Sequence, residues 1–174
     1  MDLSALGNVA YVFPDHFDVD LIIGVQNVRE NDLEKLVPLC MKGFDDDFLK
    51  NAKAGDIFIG GRNFGYGHAH PQSMGTIRKV GINVVLAESF APGFYRGELI
   101  NGMYLLKVPG ITEKAKKSDL LKVDFHEGIV TNITQGTTIQ GVKPSPIVIE
   151  LVQNKGNIGL IKRRIEELNE RAVE

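Results

Sequence analysis

Between Ile57 and Asn101 short apolar runs alternate with segments of helical character, and this alternation constrains the fold more than any other feature. Ile57 to Ile59 reads as a buried strand that runs into Gly60-Gly61-Arg62-Asn63-Phe64-Gly65-Tyr66-Gly67. A helix is expected from about Gln72 to Val80, closed by Gly81, because glycine tolerates the left-handed conformation that ends helices. Val84 to Leu86 is the next buried strand. Pro92 fits the first turn of a further helix that stops at Asn101-Gly102. Strands separated by helices pair in parallel, so the centre of the chain predicts a parallel sheet.

The flanks are less regular. Ala10 to Phe13 is strand-like and stops at Pro14, and Leu21 to Ile23 is a short apolar strand ended by Gly24. Asn31 and Glu34 have the side-chain types of a cap and its reciprocal partner, predicting a helix from about Asp32 to Met41. Asp45 to Ala52 predicts a short helix with acids at its positive end. Tyr104 to Val108, Lys122 to Phe125, Gly128 to Ile133, Thr137 to Val142 and Ile147 to Leu151 read as short strands. An amphipathic helix follows from about 158 to 172, with Ile161, Ile165 and Leu168 on one face. The 174 residues suit a single mixed α/β domain, 1–174, with a β-rich, barrel-like part.

Composition narrows the function. The net charge is −2, which leaves no electrostatic case for nucleic-acid binding. No apolar run is long enough to span a bilayer. Met1 to Val9 lacks a basic stretch followed by a long apolar one, so a cytoplasmic protein is expected. Cys40 is the single cysteine and falls on the apolar stripe Leu33, Leu36, Val37, Cys40, as a buried structural thiol would. An iron–sulfur cluster needs about three or four thiolates, so this chain cannot hold one alone.

The chemistry concentrates at Gly65, Gly67, His68 and His70. Glycines between a strand and a helix let the backbone turn sharply and approach a ligand. The helix N-terminus behind them offers unpaired N–H groups and partial positive charge to a carboxylate or phosphate. A dinucleotide fingerprint fails at its third glycine, where His70 stands. A Walker loop fails because no Gly-Lys-Ser/Thr follows. A metal site on His68, His70 and His16 is a weaker reading, since two histidines one residue apart fall short of a ligand set. The plain alternative is that the histidines only cap the helix or pack in the loop.

Three segments together resemble the aconitase swivel-domain family, and within it the small subunits of 3-isopropylmalate dehydratase. Phe13-Pro14-Asp15-His16-Phe17-Asp18-Val19-Asp20-Leu21-Ile22-Ile23 resembles the family's aromatic, Gly-Asp-Asn, hydrophobic, Asp-Thr-Asp, Ile-Ile opening. Gly61-Arg62-Asn63-Phe64-Gly65-Tyr66-Gly67 resembles Gly-Glu-Asn-Phe-Gly-Cys-Gly. Ser89-Phe90-Ala91, Phe94-Tyr95 and Asn101-Gly102 resemble a third block in the same order, and Val123-Asp124 with Glu127-Gly128 resembles a later strand-turn-strand. The resemblance implies a three-layer β/β/α swivelling domain with a barrel-like β part, as in the C-terminal domain of aconitase. It implies a small subunit of a heteromeric hydro-lyase acting on a hydroxy dicarboxylate such as 3-isopropylmalate, in leucine synthesis. It places no cofactor on this chain and a [4Fe–4S] cluster on a large partner subunit. Self-association of the isolated chain stays open. Two other readings stay open: a dehydratase for a smaller or methyl-substituted malate or maleate, and a non-catalytic subunit that binds a carboxylate or a partner.

The chain departs from the family after Gly67. His68 stands at the family's serine base, Ala69 at its second serine and His70 at its substrate-binding arginine. Histidine titrates near neutrality and is a natural general base, so His68 is expected to abstract the proton. Gly65, Gly67, Ala69 and His70 are the expected substrate-binding positions. Arg62, where the family usually has Glu, and Arg29, in the divergent stretch after Ile23, are further candidate cations.

Overall fold

The computed structural model describes residues 3–173, so residues 1, 2 and 174 of the expected domain lie outside it. Strand β1 (Ser4–Val12) is the spine. Residues Ser4 to Asn8 pair antiparallel with a later strand, and Val9 to Val12 pair parallel with the next one in sequence. A shift of register between Val9 and Tyr11 separates these halves; such an irregularity bends a strand and increases its twist.

After β1 come the short helices α1 (Leu33–Leu36) and α2 (Phe48–Asn51). The parallel arm is then built by β2 (Ile57–Gly60), α3 (Pro71–Val80), β3 (Val84–Ala87), α4 (Pro92–Ile100) and β4 (Tyr104–Lys107). All residues of β2 and β3 are buried, as expected for strands covered on both faces. Gly81 ends α3 with φ 99° and donates to the Arg78 and Ile77 carbonyls. The short α5 (Ile111–Lys114) leads to the antiparallel arm β5 (Leu120–Asp124), β6 (Ile129–Asn132) and β7 (Thr137–Gln140). The chain ends in α6 (Pro146–Gln153) and α7 (Asn157–Val173).

The seven strands lie in the order β4-β3-β2-β1-β5-β6-β7. The sheet is curled: just beyond β7 the Val142 N–H donates to the Lys107 carbonyl at the end of β4, 2.8 Å away. The two outermost strands of the order are therefore tied together. Helix α5 touches β2, β3 and β7, strands of both arms, and so fills the curl. This mixed α/β half-barrel with flanking helices is the expected architecture, and its parallel centre is as the alternation predicts.

Four expectations are corrected. Leu21 to Ile23 is no strand, because a 3-10 turn occupies Val19–Ile22, where the Asp18 carboxylate accepts the Asp20 N–H at 3.0 Å. Ile147 to Leu151 is no strand either; it lies in α6, whose Pro146 supplies a preset first turn. The helix expected to Met41 stops as α1 at Leu36 and continues only as a 3-10 turn, Val37–Leu39, because Pro38 has no N–H to carry the ladder. Its cap is Asp32, which accepts from the Glu34 N–H, and not Asn31. The helix expected from Asp45 shrinks to α2, and Asp47, its flanking residue, makes no side-chain cap.

Candidate functional site at the strand ends

Three loops leave the carboxyl ends of parallel strands and meet on one side of the sheet: the segment after β1, the glycine-rich loop after β2, and Glu88 to Ala91 after β3. In open α/β sheets this is where ligands bind. An aromatic cluster holds the loops in place. The Phe13 ring centroid lies 4.4 Å from Phe17, 4.9 Å from Phe58 and 5.4 Å from Phe64. Phe64 in turn packs edge-on against Phe94 of α4 at 5.5 Å.

Backbone hydrogen bonds lock the glycine-rich loop. The Gly65 and Tyr66 N–H groups both donate to the Phe17 carbonyl, at 3.0 and 3.1 Å. Phe64 N–H donates to Ser89 O, Ala91 N–H donates to Phe64 O, and Asn63 N–H donates to the Ser89 hydroxyl. Gly65 has φ +79°, and a Cβ there would lie 2.1 Å from Cγ of Phe94. Glycine is the one residue that meets both demands. Gly67 is also left-handed, at φ +91°.

The histidines follow. His68 is exposed and lines a cavity of about 240 Å³ together with Gly67, Ala69, Gly93, Phe94, Gly97 and Glu98. His70 occupies the cap position of α3, and Pro71 after it restricts it to the extended backbone it adopts, φ −93° and ψ 146°. The two rings lie 5.3 Å apart at 82°. His70 Nδ1 is 2.6 Å from Oδ2 of Asp20, whose side chain is only 5% exposed. The His70 N–H and the Ser73 hydroxyl donate to the other Asp20 oxygen, at 3.0 and 2.7 Å.

The remaining expected residues behave differently. Arg62 is exposed, and its guanidinium is gripped by Asp15, with Nε and a terminal nitrogen 2.7 and 2.6 Å from Oδ2. Its backbone N–H donates to Asp15 Oδ1. These hydrogen bonds hold the Asp15 carboxyl below its usual value and raise Arg62 above its own. Arg29 is exposed in the loop beyond the 3-10 turn Val25–Asn27, and its side chain is neither bonded to the glycine-rich loop nor part of the His68 cavity. His16 pairs with Asn63, Nδ1 to Nδ2 3.1 Å. Among the described residues no three His, Cys, Asp or Glu side chains are grouped as a metal site. Sequence reasoning passed over Asp20 and Ser73. The signal for Asp20 was its place in Asp18-Val19-Asp20, directly before an apolar turn.

No family model matches the chain. It is 32% identical to the 3-isopropylmalate dehydratase small subunit of Clostridium beijerinckii over 162 residues, covering 93% of this chain and 100% of that one. It is 34% identical to the isopropylmalate/citramalate isomerase small subunit of Methanocaldococcus jannaschii over 164 residues, covering 94% and 98%. The crystal structure of 3-isopropylmalate dehydratase from Methanocaldococcus jannaschii superposes with a TM-score of 0.87 at 28% identity, covering 97% of this chain and 99% of that one. With nearly full-length similarity in sequence and in backbone, the chain belongs to the family of 3-isopropylmalate dehydratase small subunits.

Proposed function

We propose that this chain is the small subunit of a heteromeric hydro-lyase that adds and removes water at a hydroxy dicarboxylate such as 3-isopropylmalate. The observation that carries the reading is the pair of imidazoles, 5.3 Å apart, at the strand ends and the start of α3. Two such rings can serve two needs of a dicarboxylate reaction, proton transfer and charge recognition. His68 is exposed, faces the cavity and stands at the family's base position; it takes the proton. His70 stands at the position of the family's arginine and, when protonated, donates to a substrate carboxylate. It is a single donor, where arginine offers two in a fixed fork.

This chain does not fit an iron–sulfur cluster. It has one cysteine, and burial pushes the Cys40 thiol up to about 12. The reading therefore puts the [4Fe–4S] cluster on a large partner subunit, with the glycine-rich loop of this chain completing the site.

A methyl-substituted substrate is the second reading, because the Methanocaldococcus jannaschii relative is named for citramalate as well as isopropylmalate. The test is to co-express the chain with a cluster-bearing large subunit and measure hydration of isopropylmaleate, citraconate and maleate. Turnover of at least one is expected, and His68→Ala should lower kcat by about 100-fold or more. An unchanged kcat removes His68 from proton transfer. No turnover on any of the three replaces the hydro-lyase reading with a non-catalytic subunit that binds a carboxylate or a partner.

A further inference from the structure

We infer that Asp20 is a positioning residue for His70: it fixes the proton on Nδ1 and thereby makes Nε2 the one ring nitrogen available to a ligand. Asp20 is 4% exposed and lies 50 residues from His70 in sequence, yet both its oxygens are directed at the start of α3. Oδ1 accepts the His70 backbone N–H and the Ser73 hydroxyl, and Oδ2 meets His70 Nδ1 at 2.6 Å. An ionised carboxylate only accepts, so the hydrogen in the Asp20–His70 contact belongs to Nδ1. The neutral ring then carries its lone pair on Nε2. The protonated ring presents Nε2–H to an anion, with the Asp20 charge behind it.

The arrangement separates the two histidines. His68 makes no hydrogen bond or ion pair among the described residues, and its ring meets His70 edge-on with the centroids 5.3 Å apart. His70 is held at three points: Pro71 restricts its backbone, and Asp20 binds both its N–H and its ring. A single-donor imidazole replaces a forked guanidinium effectively only if its direction is fixed, and Asp20 fixes it. The consequence for substrate binding rests on the hydro-lyase reading; the tautomer does not.

The test has two arms on the full-length chain. In the first, nitrogen-15 NMR of the free subunit reads the His70 tautomer. The neutral wild-type ring should be the Nδ1–H form, and Asp20→Asn should move it toward the Nε2–H form that unconstrained histidine prefers. Ser73→Ala, which removes only the hydroxyl on Oδ1, should keep the Nδ1–H form. A wild-type neutral ring in the Nε2–H form overturns the inference whatever the activity. In the second arm, the complex with the large subunit is assayed on the substrate that the wild type turns over. Asp20→Asn should raise KM by about tenfold or more and change kcat by less than threefold. A purely structural lesion would instead lower the amount of active complex and leave KM alone, and that result overturns the positioning role. If the wild type turns over none of the substrates, the hydro-lyase reading fails and the NMR arm alone decides the inference.

Discussion

Burial governs the chemistry of Cys40. The thiol is 2% exposed, and desolvation of its charged form pushes it up to about 12. An unfolded thiol ionises near 8.5, so between that pH and about 12 the unfolded chain binds fewer protons than the folded one. Stability contributed by the neutral thiol is therefore full below this window and falls as pH rises through it. Urea unfolding at pH 7.5 and 10.5 should show wild type losing roughly 2.7 kcal/mol more than Cys40→Ala between the two conditions. Equal losses in the two proteins would exclude the thiol. Glu88 shows the opposite sign. Burial raises it, but the Thr112 and Gly110 N–H groups and the Thr112 hydroxyl donate to its oxygens and outweigh burial, leaving it below its usual value. Its contribution is present above the ordinary carboxylate range and lost as pH falls through the lowered value. Glu88→Gln should cost about 1 kcal/mol near pH 7, and the gap to wild type should narrow in urea titrations near pH 3.5.

At the scale of elements, the glycine-rich loop and α4 behave as one packed unit, because Gly65 leaves room for the Phe94 ring. Gly65→Ala places a methyl where Phe94 sits and forces an L side chain to φ +79°. Strain and overpacking together should cost about 2–5 kcal/mol. In a Phe94→Ala background the overpacking part disappears, so a double-mutant cycle should return a coupling above about 1 kcal/mol. Additive losses would mean that backbone strain alone sets the cost. The same elements show what a sequence conveys. β2, α3, β3 and α4 were legible because each is a continuous apolar run or a capped helical segment bounded by glycine or proline. Leu21 to Ile23 and Ile147 to Leu151 were misread because short runs of isoleucine and valine look alike in a strand and in a buried turn or helix. A side-chain contact decides the first, through the Asp18 carboxylate, and the preset turn at Pro146 helps decide the second. In the site, the loop, His68 and His70 were legible from local spacing. The Asp20 grip on His70 was not, since it closes across 50 residues and no local pattern encodes it. For the same reason the pairing of Arg62 with Asp15, 47 residues away, could not be anticipated.

At the scale of the whole molecule, the packed core stops part-way along α7. Leu160 of α7 is 7% exposed, and Arg163 pairs with Glu150 of α6 at 2.6 Å. From Arg164 to Arg171 every residue is exposed, including Ile165 at 52% and Leu168 at 64%. These residues add helix without adding core. A helix that buries little is stabilised mainly by its own ladder, which is marginal for short segments in water. Truncation after Arg164 should therefore change the unfolding free energy by no more than about 0.5 kcal/mol, as surface changes do. Leu160→Ala, by contrast, removes a side chain packed against the domain and should cost about 2 kcal/mol or more. Urea unfolding of the two variants over a range of protein concentrations separates the cases. A large loss on truncation at every concentration would mean that the end of α7 packs on its own domain. A loss that grows with protein concentration would mean that Ile165 and Leu168 are covered by a second copy, since only an associated state gains stability by mass action.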